Sequence, residues 1–248
     1  MARFFVTKEA IEDNVITVSD KDAFHIARSL RMAVGDKLTV CDEDGTEYFC
    51  ELTRIRDEEC LLEIISSGAG KTESPVEITL FMAYPKGDKL ETVVQKSVEL
   101  GASVVVPFES SRCIKRPAAE KADKITDRLS RIAEEAEEAA KQCGRSRLPK
   151  VEKMIKFSEL TARIEDYDLA LFCYEGEGAT SLKATLESYP GRDGRIAVII
   201  GSEGGFSEDE AERIIAAGAK CVNLGPRILR CETAPDYCLS AISYHFEL

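Results

Sequence analysis

The sequence predicts an α/β protein. A parallel sheet with helices on both faces spans residues 73–248, and a small β-rich, barrel-like domain precedes it over residues 1–72. Three observations carry this. From Val76 onward, apolar strand-like runs alternate with helical patterns, which is the grammar of a parallel sheet. Before that point, short apolar runs alternate with turn signals. Between the two lies Ser66-Ser67-Gly68-Ala69-Gly70-Lys71-Thr72, small and polar, which reads as a linker.

In the first part, residues 37–41 and 48–52 are strands flanking Asp42-Glu43-Asp44-Gly45, a hairpin with Asp-Gly at its turn. Residues 60–65 form another strand, and residues 21–32 a short helix carrying His25, Arg28 and Arg31. In the second part, strands are expected over 77–82, 103–107, 168–173, 195–200 and 220–224. Helices are expected over 88–100 (stopped by Gly101), 118–142, 178–189, 208–217 and 235–246. The long helix should bury Ile125, Leu129, Ile132, Ala136 and Ala140. Its acidic run Glu134, Glu135, Glu137 and Glu138 then points outward, as a solvated face rather than a metal site.

Composition narrows the function classes. Nine cysteines lie scattered without C-x-x-C spacing, so neither a zinc site nor a disulfide framework is indicated, and reduced thiols in a cytoplasmic protein are the economical reading. Two histidines, His25 and His245, leave histidine metal sites and Ser/His/Asp triads poorly supplied. No 18-residue apolar run occurs, so no membrane span is expected. A formal net charge of −12 counts against nucleic-acid binding, but distribution matters more than the sum. Residues 112–150 hold eleven Lys/Arg against seven Asp/Glu, an excess that a solvated helix face also explains.

Two loops look like a site. Ile200-Gly201-Ser202-Glu203-Gly204-Gly205-Phe206-Ser207 follows a buried strand and precedes a helix, with Ser207 and Glu210 spaced as a capping box. Glycines there let backbone N–H groups approach a ligand, although the spacing fits neither G-x-G-x-x-G nor a Walker A loop. The second loop, Gly225-Pro226-Arg227-Ile228-Leu229-Arg230-Cys231-Glu232-Thr233-Ala234, carries two arginines and a glutamate where a plain connector needs none. Thr233 is the expected N-cap of the last helix, with Pro235 in its first turn. Loops at the ends of successive parallel strands would lie side by side.

Together, Ile200–Ser207 and Leu224–Ala234 resemble the paired signature of the bacterial 16S rRNA uridine-N3 methyltransferases, members of the knotted SPOUT superfamily. Arg3-Phe4-Phe5-Val6, His25–Arg31, Pro85-Lys86-Gly87, Gln95-Lys96, Glu99-Leu100-Gly101 and Gln142-Cys143-Gly144-Arg145 agree with it, so the likeness runs nearly the whole chain. The chain departs at Ser202, where the family usually has proline, at Cys231, usually threonine, and at Pro235, usually a small residue.

The resemblance implies a PUA-like RNA-binding domain, a trefoil knot near residues 195–235, S-adenosylmethionine as cofactor, no metal, and a homodimer acting on 16S rRNA within a small-subunit particle. For the cofactor it implies Ile200, Gly201, Ser202, Glu203, Gly204, Gly205, Leu224, Gly225, Ile228, Leu229, Thr233 and Ala234. Arg230 would stabilise the uracilate oxygens. Glu232 would accept the N3 proton, if burial raises its pKa, or else orient Arg230 or cap the last helix. Glu203 would bind ribose or brace its loop. Arg3, Arg28, Arg31, Lys86, Arg112, Lys115, Arg116, Arg145 and Arg147 would contact RNA. The alternatives are a knotted methyltransferase acting on another RNA base or on ribose 2′-O, and a non-catalytic RNA-binding assembly protein.

Overall fold

The run Ile196-Ala197-Val198-Ile199-Ile200 has no polar break, and such a run suits a strand covered on both faces. All five residues are buried. Their strand lies inside an eight-stranded parallel sheet, paired through seven residues on one side and four on the other. The computed structural model describes residues 1–56, 58–113, 122–176 and 178–248. These divide into two units, Met1–Glu73 with Ala140–Leu148, and Ser74–Ala139 with Pro149–Leu248.

The first unit contains β1 (Arg3–Phe5), β2 (Ile11–Glu12), β3 (Val15–Ser19), α1 (Asp20–Phe24), β4 (Lys37–Cys41), β5 (Thr46–Ile55) and β6 (Glu59–Ala69). Its six strands run in the order β1-β4-β5-β6-β3-β2, with β1 parallel to β4 and the other pairs antiparallel. Phe4, Ile16, Val18, Ile26, Leu38, Leu52 and Leu62 form its core. The Asp-Gly hairpin is present, with Gly45 at φ 82° where a side chain would be strained.

Two expectations need correction here. Residues 66–69 are not linker: they extend β6 and pair with residues 46–49, because small alternating residues fit an exposed stretch of sheet. The helix expected over 21–32 also ends early. After Phe24 the chain widens into a π turn over His25–Ser29, with Leu30 N–H donating to the His25 carbonyl at 2.9 Å, and Arg31 then adopts φ 52°. Arg28 and Arg31 therefore do not share a helix face.

The second unit contains β7 (Val76–Ala83), α2 (Lys89–Glu99), β8 (Ala102–Glu109), α3 (Ala122–Cys143), β9 (Lys150–Val151), β10 (Ile155–Lys156), α4 (Phe157–Arg163), β11 (Leu169–Cys173), β12 (Thr180–Ser181), α5 (Leu182–Glu187), β13 (Gly194–Ile200), α6 (Glu208–Ala216), β14 (Lys220–Asn223) and α7 (Thr233–Glu247). The order β10-β8-β7-β13-β11-β14-β12 interleaves early and late strands, with β11 lying between β13 and β14. The helix start expected at residue 118 lies outside the described residues. Sequence patterning missed β9, β10, β12 and α4: the three strands are two residues long and carry no periodicity, and β12 takes up the start of the helix expected over 178–189, which begins only at Leu182. Among the described residues no helix is long and apolar enough to cross a membrane.

Candidate active site

The chain leaves β13 at Ile200 and must reverse within a few residues. Gly205 makes this possible: it adopts φ 63°, and its N–H donates to the Ser202 carbonyl at 2.9 Å. A Cβ on Gly201 would stand 2.9 Å from the Phe206 ring, so the chain and the ring share that space. Phe206 is buried against Phe172 and Phe108, with centroids 5.0 and 6.2 Å away. α6 then starts on the expected capping box. The Ser207 hydroxyl accepts from Glu210 N–H at 3.3 Å, while a Glu210 carboxylate oxygen accepts from Ser207 N–H at 3.0 Å.

The second loop is anchored by its backbone. The Arg230 carbonyl accepts both Thr233 N–H at 2.8 Å and Ala234 N–H at 2.9 Å. Thr233 is thus the first helical residue of α7, not its N-cap; Glu232 precedes the helix without a capping side-chain bond. Pro235 is buried in the first turn, where its missing N–H breaks no ladder bond. Cys231 donates its thiol to the Glu232 carboxylate at 3.2 Å, a bond that a threonine hydroxyl at this position could also make. Burial pushes this thiol's pKa up to about 12, so it stays protonated.

These loops meet the end of β11 and the start of α2 around a cleft of about 550 Å³. Of the residues expected to hold cofactor, Ile200, Gly201, Ser202, Glu203, Gly205, Ile228, Leu229 and Ala234 line it, as do Arg230 and Glu232. Four others do not. A Cβ on Gly204 would lie 2.7 Å from the Arg112 carbonyl oxygen, Thr233 begins α7, Gly225 borders a neighbouring hollow of about 340 Å³, and Leu224 directly follows β14.

Lining residues from outside the two loops were missed, Lys89, Cys173, Tyr174 and Glu175, and within the loops Phe206 and Cys231 line the cleft without having been assigned to it. Lys89 Nζ lies 3.0 Å from Glu203 Oε1 and 3.1 Å from Glu232 Oε2, so one ammonium ties the two loops together. The sequence did contain a hint. A lysine opening a helix faces the unfavourable end of the helix dipole and calls for an acidic neighbour. Hydrogen bonds to Glu203 and then Glu232 hold the Lys89 pKa well above its ordinary value. For both carboxylates burial pulls upward, but hydrogen bonds, including those from Lys89, win and hold them below the ordinary range. The clamp is therefore lost only as pH falls through the lowered carboxylate values, or rises through the raised lysine value. This direction is opposite to what a base role for Glu232 requires.

Residues 72–243 match the RNA methyltransferase domain, and residues 18–65 the RNA methyltransferase PUA domain. The chain belongs to the RNA methyltransferase family. Ribosomal RNA small subunit methyltransferase E of Bacillus subtilis is 35% identical to it over 100% of this chain and 98% of the relative. The Synechocystis protein of the same name is 31% identical over 97% of this chain and 77% of its own length. The crystal structure of the Neisseria gonorrhoeae methyltransferase E bound to S-adenosyl methionine superimposes with TM-score 0.84 at 28% identity, covering 98% of this chain and 97% of that one.

For this RNA methyltransferase, some of the residues expected to contact RNA are engaged within the chain. Arg145 is 4% exposed, and its guanidinium grips Glu73, with Nη2 at 2.5 Å and Nε at 3.1 Å. Arg3 is turned inward onto Glu47 at 2.7 Å and the Arg145 carbonyl at 3.2 Å. Both guanidinium groups are thus held in part-buried ion pairs. The basic excess of residues 112–150 shrinks for the same reason: Arg128 is held by Glu91 at 2.5 Å and Lys141 by Asp22 at 2.9 Å. Arg28, Arg31, Lys86, Arg112 and Arg147 are exposed. Arg147 also donates to the Asp44 carbonyl at 3.1 Å, Arg112 to the Gly204 carbonyl at 3.4 Å, and Lys86 N–H to Glu203 at 3.3 Å. Lys115 and Arg116 lie outside the described residues. Among the described residues no cluster of three His, Cys, Asp or Glu could hold a metal ion.

The glycines differ in what they tolerate. At Gly205 a Cβ meets nothing within 4 Å, although its positive φ makes any side chain strained. Gly205→Val should lower methyl-donor affinity more than tenfold, since about 1–2 kcal/mol of left-handed strain adds to a branched side chain entering the cleft. Calorimetry on the folded variant decides this, and unchanged affinity would remove the loop from the site.

Proposed function

We propose that the chain transfers the methyl group of S-adenosylmethionine to N3 of a uridine in small-subunit (16S) rRNA, with the cofactor in the cleft between the two loops. The observation that carries this reading is the convergence of the glycine loop after β13 and the Arg230–Ala234 segment on one cleft. The cleft's size suits a cofactor of that bulk. Its lining combines an apolar floor of Ile200, Phe206 and Leu229 with the carboxylates of Glu203 and Glu232. When bound, the cofactor supplies an electrophilic methyl group on a sulfonium centre.

The uracil N3 lone pair is tied up in the imide until its proton leaves, and the negative charge then spreads to O2 and O4. In this reading Arg230 stabilises that charge. Its side chain is exposed at the cleft, its backbone is fixed by the first bonds of α7, and its guanidinium is permanently charged. Glu232 sits two residues away but is gripped by Lys89, which makes it a weak base in this arrangement. It orients the Arg230 segment while gripped, and takes the proton only when Lys89 releases it. Glu203 braces the glycine loop through the same ammonium. The target base must leave its stack to reach the cleft. The exposed Arg28, Arg31, Arg147, Lys86 and Arg112, with Lys115 and Arg116, are the proposed phosphate contacts.

Mass mapping of methylated nucleosides in small-subunit rRNA, with and without the gene, tests the reading. Loss of one N3-methyluridine is expected. A retained N3-methyluridine, or loss of a 2′-O-methyl nucleoside instead, would overturn it.

A homodimer completes the proposal. α7 buries Pro235, Cys238, Leu239 and Ile242, yet leaves Tyr237 46% and Tyr244 74% exposed, and Ile228 beside it is 84% exposed. Such a surface suits burial by a second copy, and the cofactor held by one chain would then meet RNA held by the other. Sedimentation across a concentration series should show a species of twice the 27.4 kDa chain mass. A persistent monomer with full activity would sink the shared-site arrangement.

A further inference from the structure

Among the described residues, five charged side chains line the cleft: Glu175, Glu203 and Glu232 against Lys89 and Arg230. That described lining is thus one negative charge from neutrality. The same imbalance holds within the clamp, where a single ammonium spans two carboxylates at 3.0 and 3.1 Å. A brace that served only to join the loops would do so with fewer charges; a second partly buried carboxylate adds desolvation cost without a second cation to offset it. The surplus charge faces a cavity large enough for a ligand, and a cationic ligand would complete it.

S-adenosylmethionine carries a sulfonium, an ammonium and a carboxylate, one net positive charge at neutral pH. S-adenosylhomocysteine, left after transfer, has a thioether sulfur and no net charge. We propose that Lys89, Glu203 and Glu232 form a charge-selective element of the methyl-donor site, preferring the sulfonium form to its neutral-sulfur product, with Lys89 setting the strength of that preference. This rests on the reading of the cleft as the cofactor site. The physical basis is that a unit charge removed from a partly desolvated site changes the Coulomb energy of one ligand and not of the other. Transfer of the methyl group then removes the charge that completed the cleft, which favours product release. In this role Lys89 is a positioning and selectivity residue that tunes the carboxylates it bridges.

The test is the ratio of S-adenosylmethionine to S-adenosylhomocysteine affinity, measured by calorimetry on the full chain at pH 8 and low salt. Lys89→Met uncovers the second carboxylate and should raise the ratio by roughly threefold to tenfold. Glu203→Gln and Glu232→Gln each neutralise the surplus and should lower it by a similar factor. Should Lys89→Met fail to fold, the two glutamine variants, which keep the side-chain shape, carry the test alone. Equal changes in both affinities would overturn the proposal and leave the clamp as a loop brace. Binding of neither ligand to the unaltered chain would instead overturn the cofactor assignment itself, a distinguishable result.

Discussion

Replacing Arg230 with alanine should lower kcat by about 10²–10³, the usual loss when a group that stabilises developing negative charge is removed. The methyl-donor affinity should change little. The backbone that starts α7 does not depend on this side chain, since the Arg230 carbonyl makes the anchoring bonds at 2.8 and 2.9 Å. Arg230→Lys keeps the charge but loses the planar fork that spans two acceptors, so partial activity is expected. Single-turnover assays with saturating cofactor, paired with calorimetry, separate the two effects. A variant with normal kcat would dismiss Arg230 as the uracilate partner. One with lost cofactor binding would move it to the cofactor side of the cleft.

A second large effect concerns stability. Arg145→Ala should destabilise the first unit by about 3–5 kcal/mol, the range for removing one partner of a buried pair. The loss spreads through a network. Glu73 also accepts Ser146 N–H at 2.8 Å and Arg147 N–H at 3.1 Å, Arg3 reaches the Arg145 carbonyl, and Glu47 accepts the Ser146 hydroxyl at 2.7 Å. The effect has a signature in pH. Burial opposes ionisation of Glu73, but Arg145 and the backbone N–H groups outweigh it and hold its pKa below the ordinary carboxylate value. Its stabilising contribution is therefore full above the unfolded pKa and is lost as pH falls through the lower folded one. Denaturant unfolding should accordingly show a wide gap between the parent chain and Arg145→Ala at neutral pH. The gap should narrow on acidification below about pH 4. A variant of unchanged stability but weakened RNA affinity would restore Arg145 as a phosphate contact.

Some of this molecule was legible without coordinates because the signals are local. The unbroken apolar run of β13 announces a doubly covered strand. The Asp-Gly turn fixes the β4–β5 hairpin, and Ser207 with Glu210 fixes the start of α6 to the residue. Each depends on neighbours within a few positions along the chain, so spacing alone encodes it. The two loops at the end of the chain were visible for the same reason, and so were most of the residues that line the cleft.

Charge was not legible in this way. Arg145 and Lys89 look alike in the sequence, as basic residues next to glycines or helix ends, yet one is buried in a pair and the other bridges two loops. Which acid each meets is settled by chain segments far away: Glu73 lies 72 positions from Arg145, and Glu203 and Glu232, which Lys89 bridges, come from two loops much later in the chain. The same holds for β6, whose extension past residue 65 is decided by its partner β5, and for α7, whose first turn hangs on a carbonyl rather than on the threonine that patterning suggests. Periodicity and capping act over a turn or two of chain and can be read from the sequence. The partner of a charge is chosen by packing across the sheet, and only the folded chain determines it.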